Sequence, residues 1–149
     1  MATVQDLLRV KGSDVWSVSP DTSVLEALEL MAEKNIGALL VLDQEGKIAG
    51  IVSERDFARH IAKAGQCIVD EPVKNFMTEE VIGVHPETSI DECMMLMTKQ
   101  RIRHLPVATK EGKLVGMISI GDVVKQVIAD QSILIASLEN YILGRDYPR

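Results

Sequence analysis

The sequence has few aromatic residues, only two cysteines and no excess of basic residues, and each shortage excludes a class of protein. Phe, Trp and Tyr make up 3% of the 149 residues, so the core must be built from aliphatic side chains. The net charge of −6 argues against general nucleic-acid binding, which needs a basic face. No apolar run approaches the roughly 18–20 residues that span a bilayer. Cys67 and Cys93 have no paired spacing, which favours a reducing compartment.

The length and the N-terminus set further expectations. A chain of 149 residues fits one compact domain or two small halves that share a core. The first residues lack a basic segment followed by an apolar one, so we expect no signal peptide and a cytoplasmic location. Three methionines lie close to Cys93, at 94, 95 and 97. They are better explained as core filling than as a soft-metal site, because no second Cys or His lies at ligand spacing.

The chain contains one segment twice. Residues 15–62 align with residues 81–128 at a constant offset of 66, and 17 of the 48 aligned positions are identical. A repeated unit of this size is one supersecondary module that needs a partner to cover its apolar face. The duplication therefore predicts one pseudo-symmetric domain with two equivalent clefts, in which the repeated polar residues are candidates for ligand binding.

Each copy is predicted to run strand, helix, strand, strand, helix, which makes the chain an α/β protein of the α+β type. The strands are expected at 15–18, 38–42 and 47–52 and at 81–84, 105–108 and 113–118, with capping boxes at Ser23 and Ser89 before the first helices and second helices from about Asp56 and Asp122. Short helices are expected at 3–9 and 73–77, and an extra amphipathic helix at 132–143. The predicted divisions are 1–65, 66–129 and 130–149.

The strongest candidate site is a Gly-x-x-Ser-x-x-Asp motif that begins in the third predicted strand of each copy and continues past its end. Its residues are Gly50, Ser53 and Asp56 in the first copy and Gly116, Ser119 and Asp122 in the second. A strand Gly permits close approach of a ligand or another backbone, and a Ser beside helix amides suits a phosphate. An Asp can accept hydrogen bonds from both ribose hydroxyls. Alternatively, Ser or Asp simply caps the next helix. The repetition favours a ligand.

These features resemble a tandem pair of cystathionine-β-synthase (CBS) domains, called a Bateman module, over about residues 4–128. The resemblance rests on the repeat, on the two Ser/Asp motifs and on the segment 103–107, Arg-His-Leu-Pro-Val. It implies that the two β-α-β-β-α repeats pack through their sheets and that each cleft can hold AMP, ADP, ATP, NAD(H) or S-adenosylmethionine. It also implies ribose binding by the two motif Asp residues and phosphate near the two motif Ser residues.

The resemblance further implies an adenine-binding surface on the short first strand and the start of the second strand. The implied residues are Val15, Trp16, Val18, Gly37, Ala38 and Leu39 in the first copy and Val81, Ile82, Val84, Leu105 and Pro106 in the second. A core role for Trp16 is equally compatible with its position.

The second strands break the symmetry of the repeat. Arg101, Arg103 and His104 stand where the first copy has Asn35, Gly37 and Ala38. Arg offers a planar fork to phosphate oxygens, and resemblance to AMP-sensing kinase subunits implies phosphate contacts at positions 103 and 104. The alternative is an Arg pair that only solvates a strand edge. The first copy carries Arg55 where the second has Gly121, so we expect two chemically unequal clefts.

The resemblance implies a non-catalytic regulatory protein that senses adenosine nucleotides, with AMP first and NAD(H) or ATP next. It would use no catalytic cofactor and would act through an unknown downstream protein or through a homodimer formed by its helices. A protein-interaction module with vestigial nucleotide sites is the alternative. An enzyme would need a nucleophile, a metal or an acid–base pair, and the repeated residues supply none of these.

Overall fold

The computed structural model describes residues 2–143, which form two compact units. The continuous unit is Val15–Ile82, and the discontinuous unit combines residues 2–14 with residues 83–143. The elements in chain order are α1 Val4–Lys11, β1 Ser17–Val18, α2 Val24–Lys34, β2 Ala38–Leu42, β3 Ile48–Ser53, α3 Glu54–Ala64, a 3₁₀ turn Val73–Asn75, α4 Ile90–Gln100, β4 His104–Ala108, β5 Leu114–Ser119 and α5 Ile120–Ile142.

Helix α1 packs with the second copy of the repeat. The backbone N–H of Val4 donates to the carbonyl of Thr88 at 2.9 Å, and the side chain of Val4 is fully buried. The divisions predicted from sequence at 65 and 129 follow the order of the repeats and stay a prediction. The packing crosses that order, because the first helix completes the discontinuous unit.

The continuous unit is built on a three-stranded sheet in the order β1-β2-β3. Strand β1 runs parallel to β2, and β2 runs antiparallel to β3. Apolar residues from both helices and from the 3₁₀ turn close over this sheet, as aliphatic periodicity predicts. The buried cluster consists of Val24, Ala27, Met31, Leu39, Val41, Val52, Phe57 and Val73.

The discontinuous unit repeats this core on the antiparallel pair β4-β5. The positions that align with the cluster at an offset of 66 are all buried: Ile90, Cys93, Met97, Leu105, Val107, Ile118 and Val123. The buried Val4 of α1 takes the place that Val73 has in the continuous unit, at an offset of 69 (73 minus 4). The two units therefore share one packing plan.

Both predicted first strands are wrong in extent: β1 covers only Ser17–Val18 of the predicted 15–18, and at 81–84 only a single parallel bridge between Val84 and Val107 forms. In the continuous unit, the N–H of Leu40 donates to the carbonyl of Trp16 at 3.4 Å. The repeat places Pro106 at the position of Leu40. Proline has no N–H to donate, so the equivalent bond cannot form and the strand cannot extend.

Helices α3 and α5 begin two residues earlier than predicted. Ser53 and Ser119 are their N-caps, and Asp56 and Asp122 are the third helical residues, whose carboxylates accept from the cap residue. This reciprocal arrangement is a capping box. The same Ser and Asp therefore have a structural role whatever else they bind.

In the first helix of each copy, the half of the predicted capping box that involves the Ser side chain is present. The Oγ of Ser23 accepts from the N–H of Glu26 at 3.1 Å, and the Oγ of Ser89 accepts from the N–H of Glu92 at 3.1 Å. Among the hydrogen bonds of residues 2–143, the expected return bond from either Glu side chain is not present. The caps are therefore simple Ser caps.

The extra C-terminal helix is a continuation of α5 and not a separate element. Helix α5 runs without a break for 23 residues from Ile120 to Ile142. The sequence between the end of the repeat and position 132 holds no Gly or Pro that would end a helix. The part of the predicted C-terminal segment at 144–149 lies outside the described residues.

Candidate functional site

One end of the sheet in the continuous unit brings several of the candidate residues together. Ala38 at the start of β2 pairs with Ser53 at the end of β3. The N–H of Glu54 then donates to the carbonyl of Gly37 at 3.0 Å, which satisfies one of the amides that the first turn of a helix leaves open. Gly37, Ala38 and Ser53 therefore lie side by side at the N-terminus of α3, as the sequence predicts.

The carboxylate of Asp56 is held by its own helix cap. Its Oδ2 accepts from the N–H of Ser53 at 2.8 Å and from the Oγ of Ser53 at 3.1 Å. Its Oδ1 accepts a long bond of 3.4 Å from the Oγ1 of Thr78. The cap fixes the orientation of the carboxylate through one oxygen and engages the other only weakly.

The discontinuous unit has the same arrangement with basic residues in it. His104 pairs with Ser119 across β4 and β5, and the N–H of Ile120 donates to the carbonyl of Arg103 at 2.8 Å. The Arg103 side chain is exposed and His104 is half-buried. The structure thus brings the predicted phosphate-binding pair directly beside the repeated Ser and Asp.

Asp122 differs from Asp56 in having a cation bonded to it. Its Oδ2 accepts from the N–H of Ser119 at 2.8 Å, from the Oγ of Ser119 at 3.0 Å and from the Nζ of Lys11 at 2.6 Å. Partial burial of Asp122 favours its neutral form, but the bonds from Lys11 and from Ser119 outweigh this effect. They hold the pKa of the Asp122 carboxyl below its ordinary value, so the group is ionised at neutral pH.

Other segments of the chain pack closely against the two motif glycines, Gly50 and Gly116. A Cβ at Gly50 would lie 2.8 Å from the Sδ of Met77 and 2.8 Å from the carbonyl oxygen of Thr78. A Cβ at Gly116 would lie 2.8 Å from the Cδ2 of Leu8. Of the two reasons that the sequence offers for a strand Gly, close approach by another part of the chain is the one observed. Contact of these glycines with a ligand stays a prediction.

The candidate adenine-binding residues of the continuous unit differ in their accessibility. Trp16 is 38% exposed, and the Nζ of Lys34 lies 4.3 Å from the centre of its ring, a cation–π contact. Val15, Val18 and Gly37 are half-buried. Leu39 is fully buried in the core cluster and pairs with Val52 inside the sheet, so contact of Leu39 with a ligand stays a prediction.

In the second copy the candidate residues divide between the two units. Val81 and Ile82 are half-buried at the end of the continuous unit, whereas Val84 is buried in the discontinuous unit. Leu105 and Pro106 are buried, and their side chains form part of the core. Arg55, the remaining candidate, is half-buried in the first turn of α3. Binding by all of these residues stays a prediction.

Two residues near the carboxylates were missed by the sequence reasoning. Lys11 and Thr78 contact Asp122 and Asp56, and both come from the segments that precede the copies. The segments before the two copies align at an offset of 69, the difference between positions 8 and 77. At this offset Lys11 aligns with Glu80, so Lys11 and Thr78 do not occupy equivalent positions. No repeated signal marks them, so only the fold reveals the contacts.

Two histidines outside the candidate site, His60 and His85, both have defined contacts. His60 lies 2.6 Å from Glu71 through its Nε2, and its ring stacks on that of Phe76 at 4.4 Å between centroids. The bonds from His60 and Asn75 hold the pKa of Glu71 below its ordinary value. The Nδ1 of His85 lies 2.8 Å from the carbonyl of Ala108. These contacts are structural.

The part of the chain that the structure describes has neither a metal-binding cluster nor a membrane-spanning helix. Residues 2–143 contain no cluster of three or more His, Cys, Asp or Glu side chains suited to a metal ion. Burial and the nearby Glu92 raise the pKa of Cys93 to about 11, so its thiol stays protonated in the core. None of the described helices combines the length and apolar character needed to cross a membrane.

Comparison with known proteins identifies the fold. The CBS domain family matches residues 4–63 and 73–129. The mitochondrial CBS domain-containing protein CBSX3 of Arabidopsis thaliana is 38% identical over 95% of this chain and 72% of its own length. A solved protein with CBS domains from Burkholderia ambifaria is 49% identical, with a TM-score of 0.82 over 87% of this chain and 96% of that chain.

Two similar structures contain adenosine compounds. The CBS domain pair of protein MJ0100, in complex with 5′-methylthioadenosine and S-adenosylmethionine, is 25% identical over 85% of this chain and 99% of that chain, with a TM-score of 0.74. A Pyrobaculum aerophilum CBS domain protein complexed with AMP is 24% identical over 81% of this chain and 89% of that chain and shares the fold, with a TM-score of 0.72. The match to the family, the duplicated units and the paired Ser/Asp motifs agree: the chain belongs to the CBS-domain family and carries two CBS domains in tandem.

Proposed function

We propose that this chain is a non-catalytic regulatory protein that senses adenosine nucleotides, with AMP as its first ligand. The observation that carries the proposal is the identical placement of a Ser and an Asp at the same strand end in both units, beside a helix N-terminus. Helix amides favour a phosphate, and a fixed carboxylate can accept ribose hydroxyls. The ligand-bearing CBS pair at 25% identity supports an adenosine compound.

The capping role of these residues is compatible with ligand binding. Each cap bond from the Ser uses Oδ2 of the Asp. Within residues 2–143, Oδ1 of Asp122 accepts no hydrogen bond, and Oδ1 of Asp56 accepts only the long bond from Thr78. The cap therefore orients the carboxylate and leaves one oxygen for a ribose hydroxyl.

The two units are proposed to prefer different ligands. Arg103 adds positive charge at the strand end that carries the Ser119 cap, whereas Gly37 and Ala38 hold the positions aligned with Arg103 and His104 in the continuous unit. Charged donors strengthen bonds to phosphate oxygens. We therefore assign AMP to the discontinuous unit first and leave NAD(H), ADP or ATP as alternatives for either unit.

The proposal is tested by measuring thermal stability with a panel of nucleotides, followed by calorimetry. A ligand that binds only the folded state stabilises it by about 2.7 kcal/mol at a hundredfold excess over Kd. For a chain of this size the melting temperature should rise by roughly 5–10 °C. AMP, ADP, ATP, NAD⁺ and NADH are expected to raise it more than guanine or pyrimidine nucleotides. Flat curves with every adenine compound, confirmed by calorimetry, would contradict the proposal.

A protein-interaction module with vestigial sites is the second candidate, and an enzyme is a more distant third. The exposed Arg103 and the retained carboxylates favour a working nucleotide site over a vestigial one. Ligand titration distinguishes the sensor from the interaction module. A turnover assay on each bound nucleotide distinguishes the sensor from an enzyme. We place the protein in the cytoplasm, where adenine nucleotides are abundant, and its downstream protein is unknown.

We also propose that two copies pair through their helices. On α5, Ile128, Ile135 and Ile142 lie seven residues apart and are 57%, 57% and 77% exposed. Leu138 extends the same stripe and is 52% exposed. Apolar residues at this spacing form the seam of a two-helix coiled coil, in which a second α5 would bury them.

Light scattering after size-exclusion chromatography tests the pairing. The wild-type protein should have the mass of a dimer, and Ile135→Glu should have the mass of a monomer because a charge in the seam is costly to bury. Val10→Glu is the matched control, since Val10 is 86% exposed and lies on α1, whereas the proposed seam lies on α5. A monomeric wild-type protein at every concentration would refute the pairing.

A further inference from the structure

The ion pair between Lys11 and Asp122 is built by a firmly held helix. Lys11 is the last residue of α1, and its Nζ lies 2.6 Å from Oδ2 of Asp122 and 2.6 Å from the carbonyl oxygen of Met117. Helix α1 is anchored in the same unit by the buried Val4 and Leu7, which are 0% and 3% exposed. The packing of α1 therefore positions the ammonium group of Lys11 at Asp122.

The oxygen atoms of Asp122 are unequally occupied. Oδ2 accepts three hydrogen bonds, from the N–H of Ser119, the Oγ of Ser119 and the Nζ of Lys11. A carboxylate oxygen offers about two lone-pair positions, so Oδ2 has no room for another donor. A ribose has two neighbouring hydroxyls. One of them can reach Oδ1 of Asp122, but a second bond to Oδ2 requires Lys11 to leave.

The continuous unit lacks this ion pair. The Oδ2 of Asp56 accepts only the two cap bonds from Ser53, and no ammonium group in the described part of the chain bonds to Asp56. Leu8 and Met77 pack over the equivalent glycines and fix the offset of 69 between the lead-in segments. At that offset Lys11 corresponds to Glu80, so the second segment has an acid where the first has a base.

We propose that Lys11 is a specificity-determining residue that competes with the ligand's ribose for Asp122. The inference rests on the proposed function. A riboside that uses both hydroxyls on Asp122 must displace the Lys11 ammonium. A 2′-deoxyriboside, which has one of these hydroxyls, can bind Oδ1 and leave the ion pair in place. The site of the discontinuous unit therefore gains little from the second hydroxyl, whereas the site of the continuous unit uses both.

The test measures adenosine and 2′-deoxyadenosine binding by calorimetry in the Asp56→Ala background, which keeps only the site with Lys11. Adding Lys11→Met should strengthen adenosine binding about tenfold, because the competing charged hydrogen bond is gone. Binding of 2′-deoxyadenosine should change less than about threefold. The affinity for AMP should rise less than the affinity for adenosine, because Lys11→Met also removes a positive charge. Arg9→Met is the matched control, since Arg9 lies on the same helix and contacts Asp6 at 3.6 Å.

The outcomes separate this inference from the proposed function. Unchanged or weaker adenosine binding in a folded Lys11→Met variant would overturn the competition while the sensor function stands. Absence of binding of every adenine compound to the wild-type protein would overturn both. If Lys11→Met does not fold, Lys11→Gln keeps most of the side-chain stem and removes the charge, and the same gain for adenosine over 2′-deoxyadenosine is expected. Equal changes for the two nucleosides in that variant would also refute the competition.

Discussion

The continuous and discontinuous units have the same core but different polar ends. Leu39 and Leu105 are both fully buried at aligned positions, and each unit carries a Ser–Asp capping box. Asp56 of the continuous unit bonds to its cap Ser and to the Thr78 hydroxyl, whereas Asp122 of the discontinuous unit bonds to its cap Ser and to the Lys11 ammonium. Packing tolerates little change in either copy, whereas a polar site can diverge without altering the fold.

The largest expected effect tests whether the two cores are equivalent. Leu39→Ala and Leu105→Ala should each lower the free energy of unfolding by about 2–5 kcal/mol, because each removes a buried side chain and leaves a cavity. Urea denaturation followed by circular dichroism measures both. A loss in one variant that is several times the loss in the other would break the structural equivalence of the units.

The motif glycines provide the next comparison. Gly50→Ala should destabilise the protein by about 1–3 kcal/mol, because the new Cβ would meet the Thr78 backbone, which cannot rotate away. Gly116→Ala should cost less than about 1 kcal/mol, because the atom it would meet is the end of the flexible Leu8 side chain. The urea concentrations at the midpoints of unfolding rank the two variants by stability. A larger loss of stability in Gly116→Ala than in Gly50→Ala would contradict the prediction.

The Lys11–Asp122 pair predicts a smaller effect that depends on pH. The folded-state pKa of Asp122 is below its ordinary value of 3.8, so the stabilisation is complete above that value and is lost as pH falls through the lowered pKa. Because Lys11 is partly exposed, Lys11→Met should cost only about 0.5–1 kcal/mol at neutral pH.

Urea denaturation of the wild-type protein and of Lys11→Met over a pH series measures this difference. The gap between the two proteins should narrow at pH values below 3.8 and stay constant from there to neutral pH. Arg9→Met serves as the control on the same helix. A gap that is independent of pH would mean that the methylenes of Lys11, and not its charge, stabilise the unit.

Much of the fold was predictable because the repeat encodes it locally. The strand at 38–42 follows from an apolar run, and the caps at Ser23 and Ser89 follow from their spacing to the next helix. Two errors could have been avoided from the sequence. Ser-x-x-Asp already indicates helices that begin after the Ser, and Pro106 at the position of Leu40 already argues against a full strand at 81–84.

The remaining features depend on contacts between distant parts of the chain. The apolar spacing of α1 predicts an amphipathic helix, but it does not say which copy the helix covers. Lys11 and Asp122 are 111 positions apart and belong to no repeated pair, so no local pattern links them. For the site, the sequence predicted that Arg103, His104 and Ser119 lie together, and it could not predict the ammonium group beside them.

The central claim is that two units of one fold bind adenosine ligands unequally, and calorimetry on single-site variants tests it most directly. Asp122→Ala should leave the continuous unit's site, with a smaller preference for AMP over adenosine, because Gly37 and Ala38 stand there at the positions of Arg103 and His104. Asp56→Ala should leave the discontinuous unit's site and bind AMP at least about tenfold more tightly than adenosine, because the Arg103 guanidinium adds charged hydrogen bonds to phosphate. This preference should weaken as salt screens the charges. Equal ratios of AMP to adenosine affinity in the two variants, with the same salt dependence, would contradict the account.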